Sequence, residues 1–275
     1  MSAPHAVTAD APRARVAPWV QLLWAAAAFV SSLCGIGGGL FAVPLLHYLG
    51  GLPLKRAVAT SLCLVLTLSL TATAVEGLHV ASGLRGEVVA CLILGGWLGA
   101  RAGLRVAERI DVKLLKRLFV VVLLFAAARI FMLDALVDTS AGSGVSLGPL
   151  TACVVVAVGM GAGFIAPLLG VGGGVIAIPA LFLSLPSITY LEARACSMAM
   201  TIFVSGQSVH AYWKRGEINL PRAGGLIVGT LVGALAGVFA VHLEGWAALA
   251  RNAMAVVLLL VAVRFAVDLL QTRRA

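Results

Sequence analysis

Charged side chains are scarce in this chain of 275 residues, where Asp, Glu, Lys and Arg together make up 11% of the sequence. Soluble domains carry about 25%. Hydrophobic residues account for 61%, and the mean hydropathy is +1.06. These values leave no room for a separate soluble domain, and apolar runs of membrane-spanning length recur along the chain. The sequence therefore predicts an all-α polytopic membrane protein.

Several chemical signatures are also missing. The five cysteines form no C-x-x-C pair and no Cys/His metal spacing. No P-loop is present, which excludes primary transport by this chain alone. We expect no catalytic residue, no cofactor and no metal, and hence no enzyme. The net charge of +9 arises from short loops between apolar segments, which is how membrane proteins fix their orientation, so we expect no nucleic-acid partner.

What the sequence does contain is an internal repeat. The run GIGGGLFAVP at 35–44 recurs as GVGGGVIAIP at 170–179. A Gly-x-x-x-Gly-x-x-x-Gly pattern, which lets helix backbones approach closely in lipid, also occurs twice, at Gly95, Gly99 and Gly103 and at Gly229, Gly233 and Gly237. The chain therefore divides into a first transmembrane repeat (17–134), a linker (135–149) and a second transmembrane repeat (150–270).

Each repeat contains four apolar segments. They are 18–49, 56–75, 87–107 and 114–133 in the first repeat, and 150–185, 189–211, 222–243 and 249–270 in the second. A simple hydropathy count gives eight spans. The first segment of each repeat is too long for one simple span, however, and its glycine run interrupts it. Both could therefore be re-entrant hairpins, although 150–169 is long enough to cross the membrane alone.

The distribution of basic residues favours the hairpins. With eight spans, the basic residues divide ten to eight between the two sides; with six spans and two hairpins they divide fifteen to three. The positive-inside rule prefers the second arrangement. Three crossings per repeat then give the two copies opposite orientations, an inverted repeat of the kind found in secondary transporters. Both termini are predicted to lie in the cytoplasm.

The glycine runs predict broken helices, which the membrane tolerates only against protein or a water-filled cavity. A helix that restarts after the break presents unpaired N–H groups and the positive end of its dipole, and such an end can hold an anion. We predict a substrate site made of Gly35, Gly37, Gly38, Gly39, Pro44 and Ser61, with Gly170, Gly172, Gly173, Gly174, Pro179 and Ser197. The alternative is that the glycines only permit tight packing and that the serines bond their own helices.

Other polar residues are expected to lie near segment ends. Four carboxylates are predicted to be interfacial, which leaves no buried proton relay visible: Glu76, Glu87, Glu192 and Glu217. His79 and His210 could carry a coupling proton, but a loop histidine at the membrane surface is the commoner explanation. Arg129 and Arg264 fall within apolar segments, close enough to the segment ends to snorkel.

The duplicated G-x-G-G-G-x-x-x-x-P motif and the total length resemble the sulfite exporter TauE/SafE family, over about 18–270. The resemblance implies a transporter of the cell inner membrane that moves a small anion such as sulfite, sulfoacetate or another organosulfonate or organic oxyanion. It places the family motif on the two glycine runs and their prolines. We predict a secondary transporter working by alternating access, in contact with its anion, the lipid bilayer and a coupling proton or other ion. The alternatives are an anion channel and a non-transporting accessory subunit, and an oligomer is left open.

Overall fold

The computed structural model describes residues 18–78, 84–111, 148–185 and 188–243, together with single positions within 114–124 and 246–267. Across these residues the chain is helical and has no strand, so the all-α prediction is confirmed for the part described. The fourth apolar segment of each repeat and the linker fall largely outside these residues, and so do His79, Arg129 and Arg264.

Eight α-helices are described. They are α1 (Pro18–Cys34), α2 (Gly39–Pro44, continued by a π-helical turn, Leu45–Leu49), α3 (Leu54–Leu78), α4 (Gly86–Arg109), α5 (Pro149–Leu169), α6 (Gly174–Ser184), α7 (Tyr190–Lys214) and α8 (Leu220–Val241). By length and composition, four of those in the described residues could cross a membrane: α3, α4, α5 and α8. The stretch Gly39–Leu49 and α1 are apolar but shorter. The total of six or eight spans stays a prediction.

Both long first segments are broken where the glycines predict. The first helix ends at Cys34 and the chain restarts at Gly39; the second ends at Leu169 and restarts at Gly174. Six glycines in the two breaks have φ between 71° and 85°, a conformation that only glycine adopts at little cost: Gly35, Gly37, Gly38, Gly170, Gly172 and Gly173. The predicted breaks are therefore confirmed.

The two prolines that follow the breaks behave differently. Pro44 is the last residue of α2, and the π-helical turn follows it directly. Such turns interrupt the regular α-helical hydrogen bonding. Pro179 lies inside α6, which continues to Ser184. The regular α-helix therefore ends at Pro44, whereas α6 continues past Pro179.

Glycine ridges join the two repeats. A Cβ added at Gly95, Gly99 or Gly103 of α4 would collide with successive backbone carbonyl oxygens of α5, those of Val156, Met160 and Phe164. The residue numbers rise together, so α4 and α5 run parallel. The helices α8 and α1 meet in the same way, with Gly233 against the Ala25 carbonyl and Gly237 against the Phe29 carbonyl. The close approach that the glycine spacing predicts is confirmed in both repeats.

The helices α3 and α7 cross the centre of the molecule in opposite directions. Glu76, near the end of α3, bonds Arg194, near the start of α7, whereas Gly206, further along α7, faces Leu66, further back in α3. The start of α7 is fixed by a capping box, in which the Thr189 side chain accepts from the Glu192 N–H and the Glu192 carboxylate accepts from the Thr189 N–H. That cap sets the position of Arg194 in the first turns of the helix.

Candidate functional site

The two glycine breaks meet at the centre of the α3–α7 pair. A Cβ added at Gly37 would lie 3.5 Å from Val65 Cγ1 and 3.6 Å from Thr201 Cγ2; one added at Gly172 would lie 2.5 Å and 2.8 Å from the same two atoms. Val65 is midway along α3 and Thr201 is midway along α7. Both breaks therefore sit at half the height of the two longest helices.

Each break also supports the start of the other repeat's short helix. A Cβ at Gly39 would overlap the carbonyl group of Gly170, and one at Gly174 would come 2.5 Å from the carbonyl oxygen of Gly35. Close packing thus accounts for Gly39 and Gly174. Backbone crowding does not account for Gly38, where the nearest atom to an added Cβ is the end of the Leu68 side chain at 3.1 Å. Its φ of 83° is the feature that requires glycine.

Neither restarted helix has a side-chain cap at its N-terminus. The carbonyl of Gly38 accepts the first helical bonds of α2, from Phe41 and Ala42, and the carbonyl of Gly173 does the same in α6. The N–H groups of the first helical residues have no acceptor within their own helix, and the positive ends of the helix dipoles lie there. Two such ends at the centre of an apolar protein provide positive potential without a charged side chain.

The predicted serines bond protein carbonyls. Ser61 Oγ donates to the carbonyls of Val58 and Gly170, at 2.8 and 3.0 Å. Ser197 Oγ donates to the carbonyl of Arg194 in its own helix, at 2.9 Å. Ser61 therefore braces the second break, and Ser197 follows the own-helix alternative. Thr201 Oγ1 also braces that break, through the Gly172 carbonyl at 2.5 Å.

One buried ion pair contradicts the sequence analysis. Arg194 Nη1 lies 2.7 Å from Glu76 Oε2, and the side chains of the two residues are 0% and 2% exposed. The other carboxylate oxygen, Oε1, lies 3.1 Å from His242 Nε2, just beyond the end of α8. The expectation that Glu76 is interfacial is wrong, because α3 runs to Leu78 rather than stopping at residue 75. The local sequence gives no signal for this pair, since the two partners are 118 residues apart.

The ion pair adjoins the first glycine break. Arg194 Nε donates to the carbonyl of Ser32, in the last turn of α1, at 3.2 Å. A Cβ added at Gly35 would lie 2.6 Å from Arg194 Cγ, so the stem of the arginine packs directly on the break. Arg194 Nη2 is buried and makes no hydrogen bond. A guanidinium with an unused donor therefore lies beside the predicted anion site.

The opposite end of α3 and α7 is more open. A cavity of about 50 Å³ is lined there by Lys55, Val58, Glu108, Tyr212, Arg215 and Glu217 among others. Arg215 pairs with Glu108, and both side chains are partly exposed, at 27% and 52%. Tyr212 Oη donates to the carbonyl of Pro167 at 2.9 Å. This end therefore has acidic and basic side chains at a surface that water can reach.

A family model of the sulfite exporter TauE/SafE type matches residues 2–130 and 155–275. The chain belongs to the sulfite exporter TauE/SafE family. As a TauE/SafE protein it is a membrane transporter of the sulfur-anion class. No curated protein and no solved structure matches it. The matched residues include both glycine breaks and both helices of the buried ion pair, so the family assignment covers the whole candidate site.

The TauE/SafE assignment agrees with the expectation of a protein that is not an enzyme. Within the described residues, no three His, Cys, Asp or Glu side chains gather closely enough to hold a metal ion. None of the five cysteines, all of which lie in the part of the chain that the structure describes, forms a disulfide bond. The two glycine breaks and the buried ion pair are the features of the described residues that bear on transport.

Proposed function

We propose that this TauE/SafE protein is a secondary transporter of the cell inner membrane that moves sulfite, sulfoacetate or a related organic oxyanion by alternating access. The observation that carries the proposal is the meeting of two uncapped helix N-termini at glycine breaks halfway along α3 and α7. In this proposal, the anion is held by backbone N–H groups of both repeats. The predicted substrate residues, including Pro44 and Pro179 as the prolines of the motif, belong to the same proposal.

The inverted repeat is part of the proposal, and the helix directions support it. The helices α3 and α7 occupy matching places in the two repeats and run antiparallel. A two-fold axis that relates antiparallel helices lies across them, in the plane of a membrane that they span. Transporters built this way keep their substrate site where the broken helices of the two repeats meet.

Contacts between helix ends also support the re-entrant hairpins. Arg194 contacts both Ser32, at the end of α1, and Glu76, at the end of α3. These two helices therefore end on one side, and α2 has to return between them. In the second repeat, the bond from Tyr212 to Pro167 brings the ends of α7 and α5 to the opposite side. We propose that α1 with α2, and α5 with α6, dip into the membrane and come back.

The charges then set the orientation. The basic residues at the end of the molecule where α3 starts and α7 ends include Lys55, Arg56, Arg109, Lys214, Arg215 and Arg222. Two described basic residues, Arg85 and Arg194, lie at the other end. By the positive-inside rule, the first end faces the cytoplasm, and the N-terminus, which leads into the start of α1, lies there too.

Transport is tested with the purified protein in liposomes. Radiolabelled sulfite and sulfoacetate are offered outside vesicles that contain the same unlabelled anion. A carrier gives saturable uptake that internal anion accelerates. A channel gives flux that does not saturate in this way and is not accelerated. Absence of flux for both anions, with correctly folded protein, would instead favour the accessory subunit.

The glycine site is tested by Gly38→Leu and Gly173→Leu. We expect both variants to reach the membrane and to lose uptake, because each places a side chain over an uncapped helix N-terminus. The matched control is Gly51→Leu. Gly51 also has a positive φ, 62°, but an added Cβ there meets nothing within 4 Å, so the control carries the backbone strain without the obstruction. Normal transport by both break variants would remove the glycine site.

A further inference from the structure

Burying the charged groups of the cluster formed by Glu76, Arg194 and His242 is unfavourable in free energy. Moving an ion from water to a protein interior is strongly unfavourable even after relaxation, and replacing a buried ion pair by apolar residues of similar volume is often neutral or stabilising. Arg194 and Glu76 are nevertheless both almost fully buried. The arginine also sits against Gly35, at the edge of the candidate substrate site. A purely structural role does not explain why a charge is kept at this place.

The groups around Glu76 come from four elements. Arg194 faces it from α7 and His242 from the end of α8. The end of α1 contributes the Ser32 carbonyl, bonded to Arg194, and the buried Cys34. Two residues before Arg194, Glu192 forms a separate pair with Arg85 at 2.6 Å, and this pair is partly exposed. Tyr190, in the first turn of α7, donates to the carbonyl of Leu33. Glu76 is therefore the carboxylate that neutralises Arg194.

We propose, on the basis of the transport function proposed above, that Glu76 is the proton-binding site of this transporter and that Arg194 exchanges its carboxylate for the transported anion. With Glu76 ionised, the carboxylate occupies the guanidinium. When Glu76 takes up a proton, it becomes neutral and releases the guanidinium, and an oxyanion of the substrate bonds there instead. Sulfonate and carboxylate groups both suit a guanidinium, which binds such planar or clustered oxygens through several N–H donors.

Charge balance is what makes the exchange favourable. In the resting cluster one negative and one positive charge cancel. After a proton has bound Glu76 and a monoanion has bound Arg194, the buried charges cancel again. Either step alone would leave a net charge in the protein interior, which is strongly disfavoured. Proton and anion therefore bind together or not at all, and this is the condition for coupled transport.

With His242 protonated, the buried charges can also cancel when the bound substrate is a dianion. Its Nε2 lies 3.1 Å from Glu76 Oε1, and a protonated imidazole adds one positive charge to the cluster. Two protons, on Glu76 and His242, then accompany one dianion. Arg194 packs against Gly35 at the first break. The anion therefore stays in a region of positive potential as it moves from the guanidinium to the helix N-termini.

The test uses sulfoacetate, whose sulfonate and carboxylate both stay ionised from about pH 6 to 8, so that the probe itself does not titrate. Liposomes with the membrane potential clamped at zero receive an inward gradient of one pH unit. Each coupled proton contributes about a tenfold factor to the accumulation limit, so the wild type is expected to approach about a hundredfold. The variant Glu76→Gln is expected to fall about tenfold or more below the wild type and to keep counterflow, which needs no net proton movement.

The pH dependence gives a second, independent readout. In the wild type, the apparent KM for sulfoacetate counterflow is expected to rise with pH by at most about a hundredfold per unit, because the dianion binds together with two protons, one on Glu76 and one on His242. In Glu76→Gln this dependence is expected to weaken to at most about tenfold per unit, because only the proton on His242 remains. The matched control is Glu192→Gln, at the same end of the molecule, where glutamine can still complete the capping box. It is expected to keep the behaviour of the wild type.

If Glu76→Gln does not fold, the proposal is tested on the wild type alone. Proton movement is then followed in wild-type liposomes with a trapped pH indicator, and two protons are expected to enter with each sulfoacetate. Accumulation by Glu76→Gln equal to that of the wild type, or wild-type uptake without proton entry, overturns the proton site and leaves the carrier intact. A wild type that shows no counterflow of sulfoacetate or sulfite counts against the proposed function itself.

Discussion

The two ends of the α3–α7 pair have the same backbone plan but different side chains. At one end lie Glu76, Arg194 and His242, in a buried cluster. At the other end, the positions that the repeat matches to them are Tyr212, Val58 and Glu108, around a cavity open to water. One end is thus sealed by charges that cancel, and the other is lined by charges that water can reach. The glycine breaks between them are nearly alike in φ.

Under the proposed proton coupling, the glycine centre is the part that both ends share, and the ion cluster is the part that gives transport a direction. A carrier with the same side chains at both ends would bind its proton equally well at either end. In the proposed function, the shared glycine centre holds the anion in the same way from either side, whereas among the described residues only the sealed end offers a buried carboxylate. Under the proposed orientation, that end faces away from the cytoplasm. Protons would therefore enter the cycle from outside the cell.

The largest expected effect is the sidedness of the two ends. In a background with the five native cysteines replaced, Lys55→Cys is expected to react with a membrane-impermeant maleimide only from the cytoplasmic side. Arg85→Cys is expected to react only from the opposite side, because the helix directions place the two residues at opposite ends. Labelling of whole cells and of inverted vesicles measures this. Reaction of both positions from one side would remove the inverted arrangement.

The next effect concerns the stability of the two ion pairs. Removing one partner of a buried pair costs about 3–5 kcal/mol, so Glu76→Ala is expected to lower the unfolding midpoint in detergent strongly. At the open end, Glu108→Ala removes the partner of Arg215, and exposed pairs contribute only about 0–1 kcal/mol. Its midpoint is expected to stay close to that of the wild type. Equal losses in the two variants would mean that the ends are not energetically different.

The smallest effect separates the two matching serines. Ser61→Ala removes a donor from the Gly170 carbonyl at the second break, and leaving a buried acceptor unpaired costs about 1–3 kcal/mol. Ser197→Ala removes only a bond within its own helix and is expected to be nearly neutral. The comparison uses unfolding midpoints, with counterflow rates as a check on the site. A larger loss for Ser197→Ala would point to a contact with the anion.

Features with a local cause could be predicted from the sequence. The breaks at Gly35–Gly39 and Gly170–Gly174 follow from glycine runs inside apolar segments, because positive φ is a property of single residues. The ridges of α4 and α8 follow from glycine spacing along one helix face. The end of α3 could not be predicted from hydropathy, because the apolar segment ends at residue 75 while the helix continues to Leu78. That difference of three residues carries Glu76 into the core.

The ion cluster depends on contacts that no local pattern records. Glu76, Arg194 and His242 belong to three helices and meet only after both repeats have folded together. By position, each resembles an ordinary interfacial charge, and the equivalent places in the other repeat hold different residue types. The serines show the same limit. Their matched positions predicted a shared role, but Ser61 reaches across to Gly170, whereas Ser197 does not leave its own helix.

The glycine ridges also say something about how such a molecule arises. Because α4 lies on α5 and α8 lies on α1, the glycine ridge of each half is covered, among the described helices, by a helix of the other half. Under the inverted arrangement, a half made alone could cover its ridge only with a second copy inserted upside down. The simplest ancestor is therefore a protein of half this length that entered the membrane both ways and worked as a pair. Duplication and fusion then fixed one orientation for each copy, after which the two ends were free to diverge.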